Sequence, residues 1–453
     1  MSRILILMIF TFFLSELHTR AQKDTATLMR FSLEEAKDYA LAHNQNIKNA
    51  QLDIKIADAQ VWETTSIGLP QVNASVGYNN NLILSTQLIP AEFFGGEPGT
   101  FQEIQFGTQH NATATLSATQ LIFNGSYFVG LQTSRIFKDL SKHSLEKTEI
   151  EVLATVMQTY YTVLLAKSNK AILDSNLVNL NQTLYETEQL LTQGFVEETD
   201  VDQLQIAVNT LENSMGVFER QVSTSERLLK YQMGLDLDQP IKLTDELNAI
   251  LTGINLEALS NQELQLQKHI DYILLDTQEK LQQMNLKNEK VSYLPTLNAS
   301  YTYQEMAQRN EFNFFDFNEE WFPAEILGFT LNVPIFSSGQ RNARVNQAKL
   351  ELKKAQNDLE LGATGLKLAA QQARDEYITA LNKYYTQKKS IDLAEKILNK
   401  TSVKYREGMV SSLELTQANE QYLESESNLT SAIFELLNAK IELDKAYSQL
   451  QTN

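Results

Sequence analysis

Four segments of the chain alternate apolar and polar residues with a period of two. Val72, Ala74, Val76 and Tyr78 alternate with Gln71, Asn73, Ser75, Gly77 and Asn79, and Ala112, Ala114, Leu116 and Ala118 with Asn111, Thr113, Thr115, Ser117 and Thr119. Leu297, Ala299, Tyr301 and Tyr303 alternate with Thr296, Asn298, Ser300, Thr302 and Gln304, and Leu327, Phe329, Leu331 and Val333 with Gly328, Thr330 and Asn332. Successive strand residues point to opposite faces, so the pattern predicts strands over 71–84, 108–123, 296–305 and 325–336. In each, one face is apolar or aromatic and the other small and polar, as in a barrel wall with lipid outside and water inside. A half-buried sheet on a soluble core gives the same alternation strand by strand.

Between and beyond these segments the period changes to that of helices. Val201, Leu204, Val208, Leu211, Met215, Phe218 and Val222 step by three and four, as do Leu173, Leu177, Leu180, Leu184, Thr187 and Leu191. Leu436, Ala439, Leu443, Ala446 and Leu450 continue the pattern near the C-terminus. Sustained spacing of this kind makes a narrow coiled-coil seam. The pattern predicts long helices over 126–193 and 340–407 and return helices over 197–235 and 412–450. At about 1.5 Å per residue each long helix would extend on the order of 100 Å. Gly194 and Gly408 stand where each pair must reverse, and glycine accepts the left-handed conformation that ends a helix.

The order of elements is written twice. Leu69-Pro70-Gln71-Val72-Asn73-Ala74-Ser75 recurs as Leu294-Pro295-Thr296-Leu297-Asn298-Ala299-Ser300, and Leu121-Ile122-Phe123 as Pro334-Ile335-Phe336. Gln193-Gly194-Phe195-Val196 returns as Glu407-Gly408-Met409-Val410. The distance between copies shortens only between the first and second landmarks, as a variable loop between fixed elements would make it. Two halves follow, 22–240 and 255–453, joined by a linker over 236–254. Pro90, Pro98 and Pro323 are expected in loops between strands and Pro240 in the linker, so that no proline falls inside an expected helix.

Composition narrows the class. The absence of cysteine removes disulfides, thiolate metal sites and cysteine nucleophiles. A formal net charge of −18 without a basic run argues against nucleic acid as a partner. Arg3, the apolar run Ile4–Leu14 and Thr19-Arg20-Ala21 read as a signal peptide over 1–21, cut before Gln22. No later stretch reaches the roughly 18 apolar residues of a spanning helix. His43, His110, His143 and His269 have no ligand spacing, and Gly362-Ala363-Thr364-Gly365-Leu366-Lys367 is too short for a phosphate loop. No catalytic constellation, metal site or cofactor is therefore expected.

Four strands cannot close a membrane barrel, for which about eight is the smallest number seen. Open edges in lipid would leave backbone groups unpaired, so closure requires two, three or more copies. With its repeat, paired strands, long helices and glycine turns, the chain resembles the TolC family of outer-membrane efflux proteins from about Ser32 to Leu450. The resemblance implies a mostly α fold with a small β-barrel, in which a homotrimer builds a twelve-stranded barrel continuous with an α-helical tunnel. The linker would lie in an equatorial belt. The implied function is a passive exit duct in the outer membrane, surrounded by its lipid. It would work with a periplasmic adaptor (membrane fusion) protein and an inner-membrane pump of RND, ABC or similar class.

The resemblance also implies roles at the two turns. Gly194, Phe195 and Val196 and their counterparts Gly408, Met409 and Val410 would receive the adaptor. Glu414 takes the position of a carboxylate that narrows the pore, and Asp200 the matching position in the first half. The next such carboxylate falls on Gln417, and the arginine that ties the family's gate falls on Val410, so this gate would be less charged. Independently, three carboxylates about one axis favour cations. Glu414 also fits an ordinary solvated carboxylate at a helix start. Two other readings stand on sequence alone: an exported coiled coil that never enters a membrane, and a periplasmic adaptor, which would carry one helical hairpin rather than two.

Overall fold

The computed structural model describes residues 28–247, 250–251, 264–316 and 318–450. The expected signal peptide and part of the linker lie outside them. In chain order the elements are β1 (Met29–Phe31), α1 (Leu33–His43), α2 (Gln45–Ser66), β2 (Gln71–Asn80), β3 (Thr86–Pro90), β4 (Phe101–Gln105), β5 (His110–Phe123), α3 (Gly125–Thr192) and α4 (Glu198–Met233). Then come β6 (Ile241–Leu243), α5 (Ile270–Val291), β7 (Thr296–Arg309), β8 (Phe322–Asn332), α6 (Gln340–Arg406) and α7 (Ser412–Ala446). The residues fall into two compact units: Met1–Lys48 with Thr148–Leu264 and Ala369–Asn453, and Asn49–Lys147 with Gln265–Leu368.

The second unit contains an antiparallel sheet in the order β2-β5-β7-β8. Its registers carry the alternation across all four strands. Val72 pairs with Ala118, Ala118 with Tyr301 and Tyr301 with Leu327, while Asn73, Ser117 and Thr302 form the next row. Val72, Val76, Leu327 and Phe329 are all exposed, so over these rows the apolar face has no cover among the described residues, while at its far end Ala112 and Ala307 are buried. Both edges of the sheet, β2 and β8, lack a neighbour among the described residues.

The strands depart from the pattern-based expectation at several points. β2 stops at Asn80, and a separate hairpin of β3 and β4 follows it. β7 runs on to Arg309, so that Glu305 and Glu325 join the otherwise apolar face, where the Tyr303 hydroxyl donates to the Glu305 carboxylate. Pro323, expected in a loop, is the second residue of β8, and Pro90 ends β3. An edge strand or a strand end tolerates the missing N–H. Beyond β7, Arg309 donates to the Asn313 carbonyl at 2.6 Å and lies over the Phe314 ring, and Phe312 and Phe314 pack edge-on against Tyr78.

The first unit is held by a partly buried polar knot and by apolar seams. β1 pairs in parallel with β6, a contact too short to leave a sequence pattern. Ser32 caps α1 in a reciprocal box with Glu35, and Asp245 accepts from Leu33 N–H at 2.7 Å and from the Tyr160 hydroxyl at 3.0 Å. Burial, reinforced by the Asp245 charge, pushes the Tyr160 phenol up. Leu180 and Leu184 of α3 pack with Leu204 and Val208 of α4 as a dry seam. α6 and α7 bury Ile391, Ala394, Leu415 and Ala418.

Candidate functional site

The two turns have the same backbone. Gly194 N–H donates to Leu191 O at 2.9 Å and Phe195 N–H to Leu190 O at 3.0 Å. At the second turn Gly408 N–H donates to Tyr405 O at 3.0 Å and Met409 N–H to Lys404 O at 2.9 Å. This is the Schellman closure, with the glycines at φ +77° and +69°. Nothing lies within 4 Å of a Cβ built on either glycine, so conformation and not space selects glycine. Phe195 and Met409 stand out from the turns, 74% and 70% exposed, and Val196 and Val410 are half-buried.

The helices that leave the turns are capped differently. Glu197 caps α4 and shares a reciprocal box with Asp200, whose carboxylate accepts from Glu197 N–H at 3.2 Å. Ser411 caps α7, its hydroxyl accepting from Glu414 N–H at 3.3 Å. Next to it Ser412, only 1% exposed, reaches across to the first turn. Its hydroxyl lies 2.5 Å from Asp200 Oδ1 and 2.8 Å from Gln203 Oε1. The single hydroxyl proton serves the charged acceptor best. Asp200 is thus committed twice, while Glu414 and Gln417 are exposed and no side-chain bond joins them to the described residues.

A second tie crosses between α3 and α6. Thr187, fully buried, gives its proton to Thr183 O at 2.8 Å and lies 2.8 Å from the Tyr405 hydroxyl. Tyr405 therefore donates to Thr187. Burial raises the Tyr405 phenol, the Thr187 hydrogen bond opposing the shift and the Asp200 charge adding to it. Sequence reasoning grouped Asp200 with Glu414 and passed over Ser412, Gln203, Thr187 and Tyr405. Their partners lie more than 200 positions away in the chain, as in the 212-residue separation of Ser412 from Asp200. The buried Thr187 within a leucine seam was the one local signal of a polar partner.

No group of three or more metal-ligating side chains occurs among the described residues. A sheet with an uncovered apolar face, paired long helices and matched glycine turns defines a class: channel subunits of the outer membrane. The profile of the family described as Outer membrane efflux protein matches residues 37–235 and 276–449, most of the chain, and the chain belongs to that family. The chain is 21% identical over 424 residues to Outer membrane protein TolC of Vibrio cholerae, covering 92% of this chain and 91% of that protein. A solved structure of CusC superposes with a TM-score of 0.71 at 16% identity, over 97% of this chain and 96% of that one. The Campylobacter jejuni CmeC outer membrane channel gives 0.70 at 17% identity, over 92% and 86%. The protein is accordingly an outer-membrane channel subunit that supplies the exit duct of a tripartite efflux or secretion system, and not an enzyme.

Proposed function

We propose that three copies of the chain close a twelve-stranded barrel, each supplying β2, β5, β7 and β8, above a helical tunnel gated at the two turns. The observation that carries this reading is the sheet itself, apolar on one exposed face and open at both edges. In lipid an unpaired edge costs several kcal/mol per buried backbone group, which edge-to-edge closure between copies removes. The two halves, 22–240 and 255–453, are copies of one repeat with the linker 236–254 in an equatorial belt, a reading supported by the matched backbones of their turns.

In the closed state the Asp200–Ser412 and Thr187–Tyr405 bonds hold the hairpins of one subunit together, in place of the tie that the family's arginine makes at the position taken here by Val410. Glu414, from three subunits, faces the constriction with Gln417 beside it. The exposed Phe195 and Met409, with Gly194, Val196, Gly408 and Val410, form the surface on which a periplasmic adaptor docks. Docking frees the hairpins, and cargo delivered by an inner-membrane pump then diffuses through the bore. The test is the native mass of the mature protein extracted in detergent from an outer-membrane fraction, corrected for bound detergent. A trimer is expected, and a soluble monomer needing no detergent would overturn the reading.

A further inference from the structure

The helices that join the sheet meet it at one end: α2 runs into Gln71, α5 into Thr296, and α3 and α6 follow Phe123 and Asn332. The β2–β5 and β7–β8 connections therefore close the opposite end, which faces outward when the helices lie in the periplasm. A membrane barrel carries an apolar band about 25 Å tall, with aromatic residues at both interfaces. At the helix end these are in place. Phe123, paired with Leu297 on the apolar face, packs against Phe128, and Tyr127 lies beside it. At the other end Tyr78 is the one aromatic residue of its row, across from Ala112 and Ala307, which are 7% and 0% exposed.

The missing rings come from the loop between β7 and β8. Phe312 and Phe314 pack edge-on against Tyr78, Phe312 meets His110 in the next row, and Trp321 lies 6.2 Å from Phe314 between ring centroids. The loop thus folds back onto the apolar face, at the row whose own side chains are small. Arg309, itself 9% exposed, clamps the loop at two points. It donates to Asn313 O at 2.6 Å and to Glu320 O at 3.4 Å, and its guanidinium stands 5.3 Å from the centre of the Phe314 ring. Phe312 and Phe315 nevertheless remain 58% and 82% exposed.

The height of this loop fits a membrane boundary. Phe123 and Ala112 are eleven positions apart in β5. At about 3.4 Å per residue and a tilt of about 35–45°, that is roughly 26–30 Å, close to the height of the apolar band. Glu311, Asp316, Glu319 and Glu320 are exposed, which suits a loop at headgroup level and not deeper. Glu305 and Glu325 face the same side one and two rows further in, near the interface, where a lipid-facing carboxylate costs least.

We propose that the β7–β8 loop is the outer aromatic girdle of the barrel: Phe312, Phe315 and Trp321 seat at the boundary between headgroups and acyl chains of the outer leaflet, and Arg309 holds them there. The occupant of this surface is lipid, because the surface continues the uncovered apolar face of the sheet. The inference rests on the barrel reading above and deepens it. The loop is then a membrane anchor and not a segment presented to the exterior.

The chain has two tryptophans, so Trp62→Phe leaves Trp321 as the one reporter; Trp62 lies on α2 and is 64% exposed. The full-length variant is reconstituted in phosphatidylcholine vesicles whose acyl chains carry bromine near the headgroup. Trp321 is expected to lose emission relative to plain vesicles and to resist quenching by aqueous acrylamide. Arg309→Gln in the same background should release the loop and reverse both results. Emission that bromine leaves unchanged and acrylamide quenches overturns the proposal, and persistent bromine quenching in Arg309→Gln overturns the role of Arg309. A Val76→Trp reporter, with Trp62 and Trp321 both replaced by Phe, separates this from the barrel reading. Bromine quenching of that reporter without quenching of Trp321 sinks the loop assignment alone, and no quenching of either sinks the barrel reading with it.

Discussion

The first and second turns share their backbone and differ in what their carboxylates do. Both close through the same pair of hydrogen bonds around a left-handed glycine. Asp200 follows the first by the same interval at which Glu414 follows the second, yet Asp200 is spent on Glu197 N–H and on the Ser412 hydroxyl. Glu414 lends only its backbone to a cap and keeps its side chain in the open. The difference arises two residues earlier: the second turn has a buried Ser412 where the first has an exposed Glu198. Matching positions of the two turns thus share a shape, while the neighbour across the fold decides whether a carboxylate is tied or left in the open.

The shared backbone is broken most severely at the glycines. Gly194→Val and Gly408→Val each force a β-branched residue to positive φ, at about 1–3 kcal/mol, and should lower the thermal midpoint of the detergent-solubilised trimer by similar amounts. A large inequality between them would show that the turns are not structurally equivalent. The difference in the carboxylates is sharpened by a double-mutant cycle. Asp200→Ala and Ser412→Ala should couple by roughly 1.5–3 kcal/mol in denaturant unfolding, as a hydrogen bond to a charged group does, while Glu414→Ala and Ser412→Ala add independently.

Tyr405→Phe removes the donor to Thr187 and should cost about 0.5–1.5 kcal/mol, with a raised basal conductance because one interhairpin tie is gone. The smallest effect belongs to a site in the other unit. Burial holds His269 below its ordinary value of 6.5, Asp271 opposing and Lys147 aiding the shift. The folded state then binds fewer protons than the unfolded one, so this contribution is complete above about pH 6.5 and is lost as pH falls from there through the lower folded-state value. His269→Gln should flatten the pH dependence of the melting temperature in that window and leave ion selectivity unchanged. A change in selectivity would mean that the turns are not isolated from the second unit.

What the sequence disclosed follows the range of each interaction. The alternation of Val72 to Tyr78 and the glycines before Phe195 and Met409 are local patterns, and they lie in β2 and in the two turns. β3 and β4 mix apolar and polar residues on both faces, as in Thr86-Gln87-Leu88-Ile89, and gave no period to read. Pro323 resembles a breaker in sequence, and only its place near the start of an edge strand makes it acceptable. At the turns Glu414 was visible as chemistry, but the commitment of Asp200 was not, because Ser412 is distant in the chain and ordinary as a residue. The membership of the chain in an efflux family was legible because repeat, strands and turns agree with one another over most of its length.

The most direct test of the account is the reversal potential across a planar bilayer under a salt gradient, for trimers of the wild type, Glu414→Ala and Asp200→Ala. The account predicts a cation-selective wild type, selectivity largely lost in Glu414→Ala, and selectivity retained in Asp200→Ala. Unchanged reversal potential in a conducting Glu414→Ala channel would contradict it.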